Sequence, residues 1–395
     1  MHDLIFIGME EWDEVWRRSQ NLVAGLSRRF PDNRILFVGL SVDVSHAVRT
    51  RQWRRAASGC RSALPQRVAD LPNVWTFSPR KILPDTLPPG RTSNRVQLRS
   101  QVRRAACSLG MKRPLLWIKP HYAAHMVGQM GERAVIYDVG DDWTAFQTDE
   151  GARRRAACED LFLTRRADAV IVVSEHLVAM KRGVRPDVNL ISNGADVARY
   201  AEVGNPELEP HPLARDWTHP VLGHTGTLHP DRTNVEMILA TARAFPNGTI
   251  ALVGPSFLDD ATTARLKEQP NIRLTGPVDY RELPRVMNHF DVCIVPHQVT
   301  AFSQSQNPLK LYEYLAAGLP IVSVPVSGFS DYPELVHLAR DEDSFVEAIH
   351  HALEEPDLSA QRRAAAADHT WDARVEAIIR VFEGVESKTR ADSTG

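Results

Sequence analysis

One alternation constrains this chain more than any other feature. Short runs of apolar, largely β-branched residues recur along it, each followed by a stretch with helical spacing: "LIFIG" (4–8), "RILFVGL" (34–40), "NVWTF" (73–77), "PLLWIK" (114–119), "AVIYDV" (134–139), "ADAVIVVS" (167–174) and "VNLISNG" (188–194). A strand that is apolar throughout must be covered on both faces, and strand–helix–strand order achieves this by pairing strands in parallel and laying helices over them. The polar, Pro-rich "AEVGNPELEPHPLARDWTHP" (201–220) interrupts the pattern, which restarts with "VLGHTG" (221–226), "GTIALVG" (248–254), "NIRLTG" (271–276), "DVCIVP" (291–296) and "PIVSVP" (320–325). Two doubly wound α/β domains are predicted, residues 1–200 and 221–358, with 201–220 as the linker. A last helical stretch, 359–386, is long enough to cross back to the first domain. Ligands of such sheets bind beyond the carboxyl ends of the strands, so function is to be sought in the loops after each run.

At 395 residues, 43% hydrophobic and 24% charged, the chain has ample length for two cores and is neither disordered nor fibrous in composition. "MHDLIFIG" runs straight into a strand with no basic segment before it, and no apolar run approaches the ~18 residues of a membrane span. A cytoplasmic protein is expected. Cys60, Cys107, Cys158 and Cys293 are scattered without a CxxC pair, which points to buried thiols rather than a disulfide framework or a zinc site. The net charge of −2 hides a division, because residues 1–200 carry 31 Lys and Arg against 21 Asp and Glu, and the remainder 16 against 28. Between Arg49 and Arg113 there are 15 basic side chains and only two acidic ones, Asp70 and Asp85, interleaved with Trp53 and Trp75. Unless it is simply a solvated surface, such a region faces something anionic, nucleic acid or a membrane.

Residues 307–322, "NPLKLYEYLAAGLPIV", read as a helix with Asn307 as N-cap, Pro308 as first helical residue and Gly318 with Pro320 as the stop. Leu309, Leu311, Tyr312, Leu315 and Ala316 cover one arc, while Lys310, Glu313 and Ala317 share the other. A cation in the first turn opposes the helix macrodipole, and Lys before Glu is the poorer order for a helical ion pair. An external anion reverses that sign: the free N–H groups of the helix start attract phosphate, Lys310 adds charge, and Glu313 one turn deeper accepts hydrogen bonds from sugar hydroxyls. A solvated helix face is the alternative. The loops "HTGTLHPDR", "VGP", "TGPV" and "PHQVTAFSQSQNP", which follow the first four runs of the second domain, bring Gly, Pro and hydroxyl residues to the same rim, Gly254 and Gly276 among them.

With these segments in view, the chain resembles the GT-B glycosyltransferases of the large family-4-like group over nearly its full length. The matching stretches are "VSEHL" (173–177), "ISNGADVARY" (191–200), "GHTGTLHPDR" (223–232), "LTGPVDYRELPRVMNHFDVCIVP" (274–296) and the Lys310/Glu313 helix. The resemblance implies two Rossmann-like domains facing a cleft, with an acceptor site in the first and a nucleotide sugar, UDP- or GDP-linked, bound as co-substrate by the second. Glu313 would bind the ribose, Lys310 the diphosphate, and the Thr227 loop its phosphates, with Leu309, Gly254, Gly276 and Val278 completing the donor site. Arg232 falls where the family often has a lysine, and Thr227 replaces the family's arginine. The paired-glutamate motif is incomplete, because the residue eight positions before Glu313 is Ser305.

"EEWDEVWRRSQNLVAGLSRRF" (10–30) and "YDVGDDWTAF" (137–146) are similar to bacterial exopolysaccharide and teichuronic-acid transferases, including the xanthan-type glucuronosyltransferase branch, which inverts. Inversion is expected on that ground. It requires a group that removes the acceptor proton. Asp141 is the first candidate, followed by Asp142, with Asp138 closer to the strand and suited to capping, and His121 after "LLWIK" as a rival. With Lys310 and the helix dipole at the leaving group and no DxD triplet in "YDVGDDW", no metal or other cofactor is expected. The implied partners are the donor, a glycan or polyprenyl-pyrophosphate-linked acceptor and an anionic membrane surface for peripheral attachment, not nucleic acid. A GT-B-like sugar-nucleotide epimerase and a non-catalytic sugar-nucleotide-binding protein are the alternatives.

Overall fold

The computed structural model describes residues 2–13, 16–45, 64–84 and 88–394. The arginines proposed above to face an anion at 49, 51, 54, 55 and 61, with Trp53, Cys60 and Asp85, lie outside the described residues. The chain forms two compact units, Met1–Ile191 with Val375–Gly395, and Ser192–Arg374.

The first unit is built on β1 (Leu4–Ile7), β2 (Ile35–Val38), β3 (Val42–Asp43), β4 (Gln66–Val68), β5 (Leu71–Phe77), β6 (Arg80–Lys81), β7 (Leu115–Ile118), β8 (Ala134–Val139), β9 (Ala169–Val172) and β10 (Val188–Leu190). Eight of these form one sheet in the order β10-β9-β8-β7-β1-β2-β5-β4, parallel except for the β4 edge. β1, β2 and β7 are wholly buried, as apolar strands in a doubly covered sheet must be. Trp117 packs edge-on to Phe6 and Phe382, with ring centroids 5.0 and 5.6 Å apart. Phe382 belongs to the helix Trp371–Thr394, which is therefore part of this core. Gly25, on the helix Arg18–Arg29, permits the approach, since a Cβ there would fall 2.4 Å from a methyl of Val375.

The second unit has β11 (Val221–Thr225), β12 (Thr249–Val253), β13 (Ile272–Gly276), β14 (Val292–Val295), β15 (Ile321–Ser323) and β16 (His337–Leu338), all parallel, in the order β13-β12-β11-β14-β15-β16. Counted within the unit this is 3-2-1-4-5-6, the dinucleotide-binding order, whose direction of growth reverses between β11 and β14.

Three expectations are corrected. Residues 201–220 are not a linker between units: Val203, Ala214 and Trp217 are buried in the core of the second unit, where Trp217 stacks on Phe290 at 6.2 Å. The helical stretch 359–386 is two helices, Ser359–Ala366 and Trp371–Thr394, broken where Ala195 N–H donates to the His369 carbonyl at 2.8 Å. The cysteines are not uniformly buried, for Cys107 and Cys158 are exposed and only Cys293 is enclosed among the described residues. Among the described residues no helix is long and apolar enough to cross a membrane.

Because Phe382 fills the space against Trp117, Phe382→Ala should cost about 3 kcal/mol, the usual penalty for an emptied aromatic site. Denaturant titration followed by tryptophan fluorescence would show the loss; an unchanged midpoint would mean that this helix contributes nothing to the first core.

Candidate active site

The reversal of strand order leaves a crevice beyond the carboxyl ends of β11 and β14, and the sequence fills it with an unusual set of side chains. β11 ends in Thr225, whose N–H donates to the Tyr314 hydroxyl at 2.8 Å. Tyr314 is fully buried on the helix Leu309–Ala317, so this bond fixes the helix start over Gly226, where a Cβ would lie 3.2 Å from Lys310 Nζ. The loop after β11 is tied to the loop after β14: Asn234 N–H donates to the Pro296 carbonyl at 2.8 Å, and Gln298 N–H to the Arg232 carbonyl at 2.7 Å. Arg232 and Lys310 are thereby drawn together. Neither has a carboxylate ion-pair partner among the described residues, and the Arg232 Nε is buried without a hydrogen-bond acceptor.

The helix start differs from its expected form by one residue. Pro308, not Asn307, occupies the N-cap position, and no side chain caps the helix. Asn307 is committed elsewhere, its Oδ1 accepting the Asn193 N–H at 2.7 Å. The first-turn N–H groups are left without the side-chain acceptor that most helices supply. Lys310 and Glu313 do share a face, both half-buried. Burial, reinforced by the Arg232 charge, lowers the Lys310 pKa to about 7, and burial raises that of Glu313 to about 7 against the opposing pull of the Tyr200 hydroxyl and Lys310. Tyr200 itself is fully buried.

The surrounding rim consists of strand ends stripped of side chains. Gly226, Gly254 and Gly276 close β11, β12 and β13 with φ of 123°, 143° and 75°. At Gly254 a Cβ would sit 2.2 Å from the Gly226 carbonyl oxygen, so only glycine fits. Thr227 and Leu309 are half-buried beside this rim, and Val278 packs against the core below the β13 loop. Ser305 is fully buried and donates to the Phe302 carbonyl at 2.7 Å, so it stands in the protein interior rather than as a stand-in for a carboxylate.

Two residues absent from the sequence reading complete the crevice. His224, near the end of β11, and His297, two residues beyond β14, are buried, with Nε2 atoms 3.2 and 3.5 Å from Lys310 Nζ. Burial and the Lys310 charge hold both imidazoles well below the usual histidine range. The available signal was positional: each is the one ionisable group at the end of an apolar run.

In the first unit the proton-acceptor candidates separate. Asp138 is wholly buried and paired with Arg18 at 3.4 Å, which makes it an interior counter-ion. Asp142 caps the helix Trp143–Phe146, its Oδ1 accepting the N–H groups of Thr144 and Ala145 at 3.0 and 3.1 Å. His121, Asp141 and Asp142 line one small pocket with Tyr137, Asp160 and Lys181. His121 Nδ1 lies 3.1 Å from Glu159 Oε2, a carboxylate that orients the ring.

This two-unit architecture is that of the GT-B glycosyltransferases. The sucrose-phosphate synthase of Thermosynechococcus elongatus superposes with a TM-score of 0.72 at 16% identity, covering 98% of this chain and 100% of that one. HepE of Anabaena in complex with UDP-glucose gives 0.67 at 15% identity, covering 97% and 100%. Residues 232–380 match the family model described as Glycosyl transferase-like. TuaH of Bacillus subtilis (strain 168), assigned provisionally as a teichuronic acid biosynthesis glycosyltransferase, is 31% identical over 199 residues. That match takes in 48% of this chain and 49% of TuaH, so the similarity spans about half the length of the relative. The chain has the GT-B fold, and its residues 232–380 match the Glycosyl transferase-like model.

The site's electrostatics have a measurable cost. Lys310 carries a penalty that is full below pH 7 and vanishes above its ordinary 10.5, whereas that of Glu313 is absent below 4.5 and full above 7. Both act near neutrality. Lys310→Met should therefore raise stability at pH 7 by about 1 kcal/mol, an advantage that fades towards pH 10, while weakening nucleoside-diphosphate binding about a hundredfold. Thermal melts across that range, with calorimetric titration of UDP and GDP, would decide it; a variant less stable than wild type at pH 7 contradicts the account.

Proposed function

We propose that this protein moves a sugar from a nucleoside-diphosphate sugar, UDP- or GDP-linked, to a glycan or polyprenyl-pyrophosphate-linked saccharide in bacterial cell-surface polysaccharide synthesis. The observation that carries the reading is the pair of cations, Lys310 and Arg232, with no carboxylate ion-pair partner for either among the described residues, beside an uncapped helix start at the switch point of a Rossmann sheet. Donor N–H groups and fixed positive charge of this kind bind a diphosphate and, as the glycosidic bond breaks, stabilise the charge that develops on it. Glu313 would accept from the ribose hydroxyls, and Gly226, Gly254 and Gly276 would admit the nucleotide to the backbone. The UDP-glucose complex of HepE and the teichuronic acid assignment of TuaH support the donor class and the pathway class respectively.

In this scheme the diphosphate charge is met by Lys310, Arg232 and the helix start without a metal ion, and transfer proceeds with inversion. Asp141, or in its place Asp142 or His121, which line the same pocket, takes the acceptor proton. The basic character of residues 49–113 fits peripheral attachment to an anionic membrane that presents the lipid-linked acceptor.

Incubation with a panel of nucleotide sugars, with and without acceptor, tests the whole. A transferase releases nucleotide only when acceptor is present, an epimerase converts the donor alone, and a binding protein converts nothing. Asp141→Asn should abolish transfer with donor affinity unchanged; full activity would move the role to Asp142 or His121. A product that keeps the donor's anomeric configuration would overturn inversion. Flotation with phosphatidylglycerol vesicles should show binding that falls with salt, and equal binding to neutral vesicles would reject the electrostatic attachment.

A further inference from the structure

Lys310 does not reach the crevice as a free side chain. Its ammonium has three N–H donors, and the buried imidazoles of His224 and His297 approach it with Nε2 at 3.2 and 3.5 Å. The His224 Nδ1 lies 3.0 Å from the Ile294 carbonyl oxygen, an atom that can only accept. Nδ1 must therefore carry the proton, which leaves the Nε2 lone pair directed at Lys310. Both rings are enclosed, with 1% and 4% of their surface exposed; His224 lies within β11, and His297, two residues beyond β14, is held by a bridge to Thr233.

We propose that His224 and His297 are positioning residues for the diphosphate of the donor: as neutral acceptors they hold two of the Lys310 N–H groups and leave the third directed at a phosphate oxygen. This rests on the donor-site reading above. Three features support it beyond the distances. First, an exposed lysine loses considerable rotamer freedom when it binds a ligand, and a side chain already held by two acceptors pays less of that cost at binding. Second, the holding groups are uncharged. A carboxylate in either place would hold the ammonium more firmly but would neutralise the charge the diphosphate needs, whereas an imidazole lone pair orients the cation and leaves its charge intact. Third, the enclosure and the neighbouring cations Arg232 and Lys310 both keep the two rings neutral, which the holding role requires.

The two rings contribute unequally. His224 is closer and has its tautomer fixed by Ile294, so it takes the larger part, and His297 is the second acceptor at longer range.

The experiment compares His224→Leu and His224→Gln, with His297→Leu and His297→Gln as a second pair in case the first apolar variant fails to fold. Glutamine returns an acceptor near the position of Nε2; leucine does not. Each protein is titrated with UDP and GDP, and separately with uridine and guanosine. The expected result is at least a tenfold loss of diphosphate affinity in His224→Leu, a smaller loss in His297→Leu, nucleoside affinity unchanged in both, and recovery of most of the loss in the glutamine variants. Wild-type diphosphate affinity in the leucine variants would overturn the proposal. So would parallel loss of nucleoside and diphosphate binding, because that pattern signals a general collapse of the crevice. A wild-type protein that binds neither UDP nor GDP would overturn the donor-site reading itself, a result distinct from either of these.

Discussion

Parallel pairing of β11 with β14 is the interaction on which the second unit turns. A parallel sheet can grow from its first strand in either direction, and here it grows one way through β12 and β13, then returns to the other side of β11 for β14, β15 and β16. The connections after β11 and β14 diverge to opposite sides of the sheet, so no crossover fills the space beyond their ends. The pairing itself depends on a tight fit at Gly223, where a Cβ would fall 2.2 Å from the Phe290 ring. Everything that gathers at the crevice, from the bare strand ends to the helix pinned by Tyr314, is placed there by this one reversal.

The crevice is an unfavourable arrangement for the protein alone. Lys310 and Arg232 repel, Glu313 is drawn from water, and the helix carries a cation at its positive end. The fold tolerates these terms because the surrounding elements are over-determined: Tyr314 is held at β11, Asn307 at Asn193, and the Arg232 loop at Gln298. Such local cost, sustained by rigid surroundings, is common where a site is shaped for a ligand of opposite charge.

The central strands were plainly legible in the sequence, because each is short, apolar and bounded by turn residues, and every predicted run contains one; the short polar strands β3, β4 and β6 and the two-residue β16 lack that signal and were missed. The Lys310/Glu313 face was legible for a related reason, since helical spacing maps directly to orientation. Features that join distant parts of the chain were not. Asp138 reads as a capping carboxylate until Arg18, 120 residues away, is seen to pair with it. Residues 201–220 lack periodicity, yet individual large side chains such as Trp217 bury themselves without forming a strand or a long helix. Asn307 has the composition of an N-cap, but competition from Asn193 took its side chain. His224 and His297 stand 73 positions apart, and only the adjacency of β11 and β14 brings them to the same ammonium.

The second unit is one uninterrupted stretch of chain, and its two ends are laced to each other by Arg374 Nε donating to the Asn193 carbonyl at 3.1 Å. The first unit is discontinuous, since the helix that supplies Phe382 comes after the whole of the second. During synthesis the N-terminal sheet must therefore leave the ribosome with Trp117 uncovered on one side and wait while about 180 residues are made and folded. The domain that is started first is finished last. Its open apolar face is exposed to other nascent chains throughout that interval, which makes the growing polypeptide, rather than the completed protein, the form most in need of a chaperone.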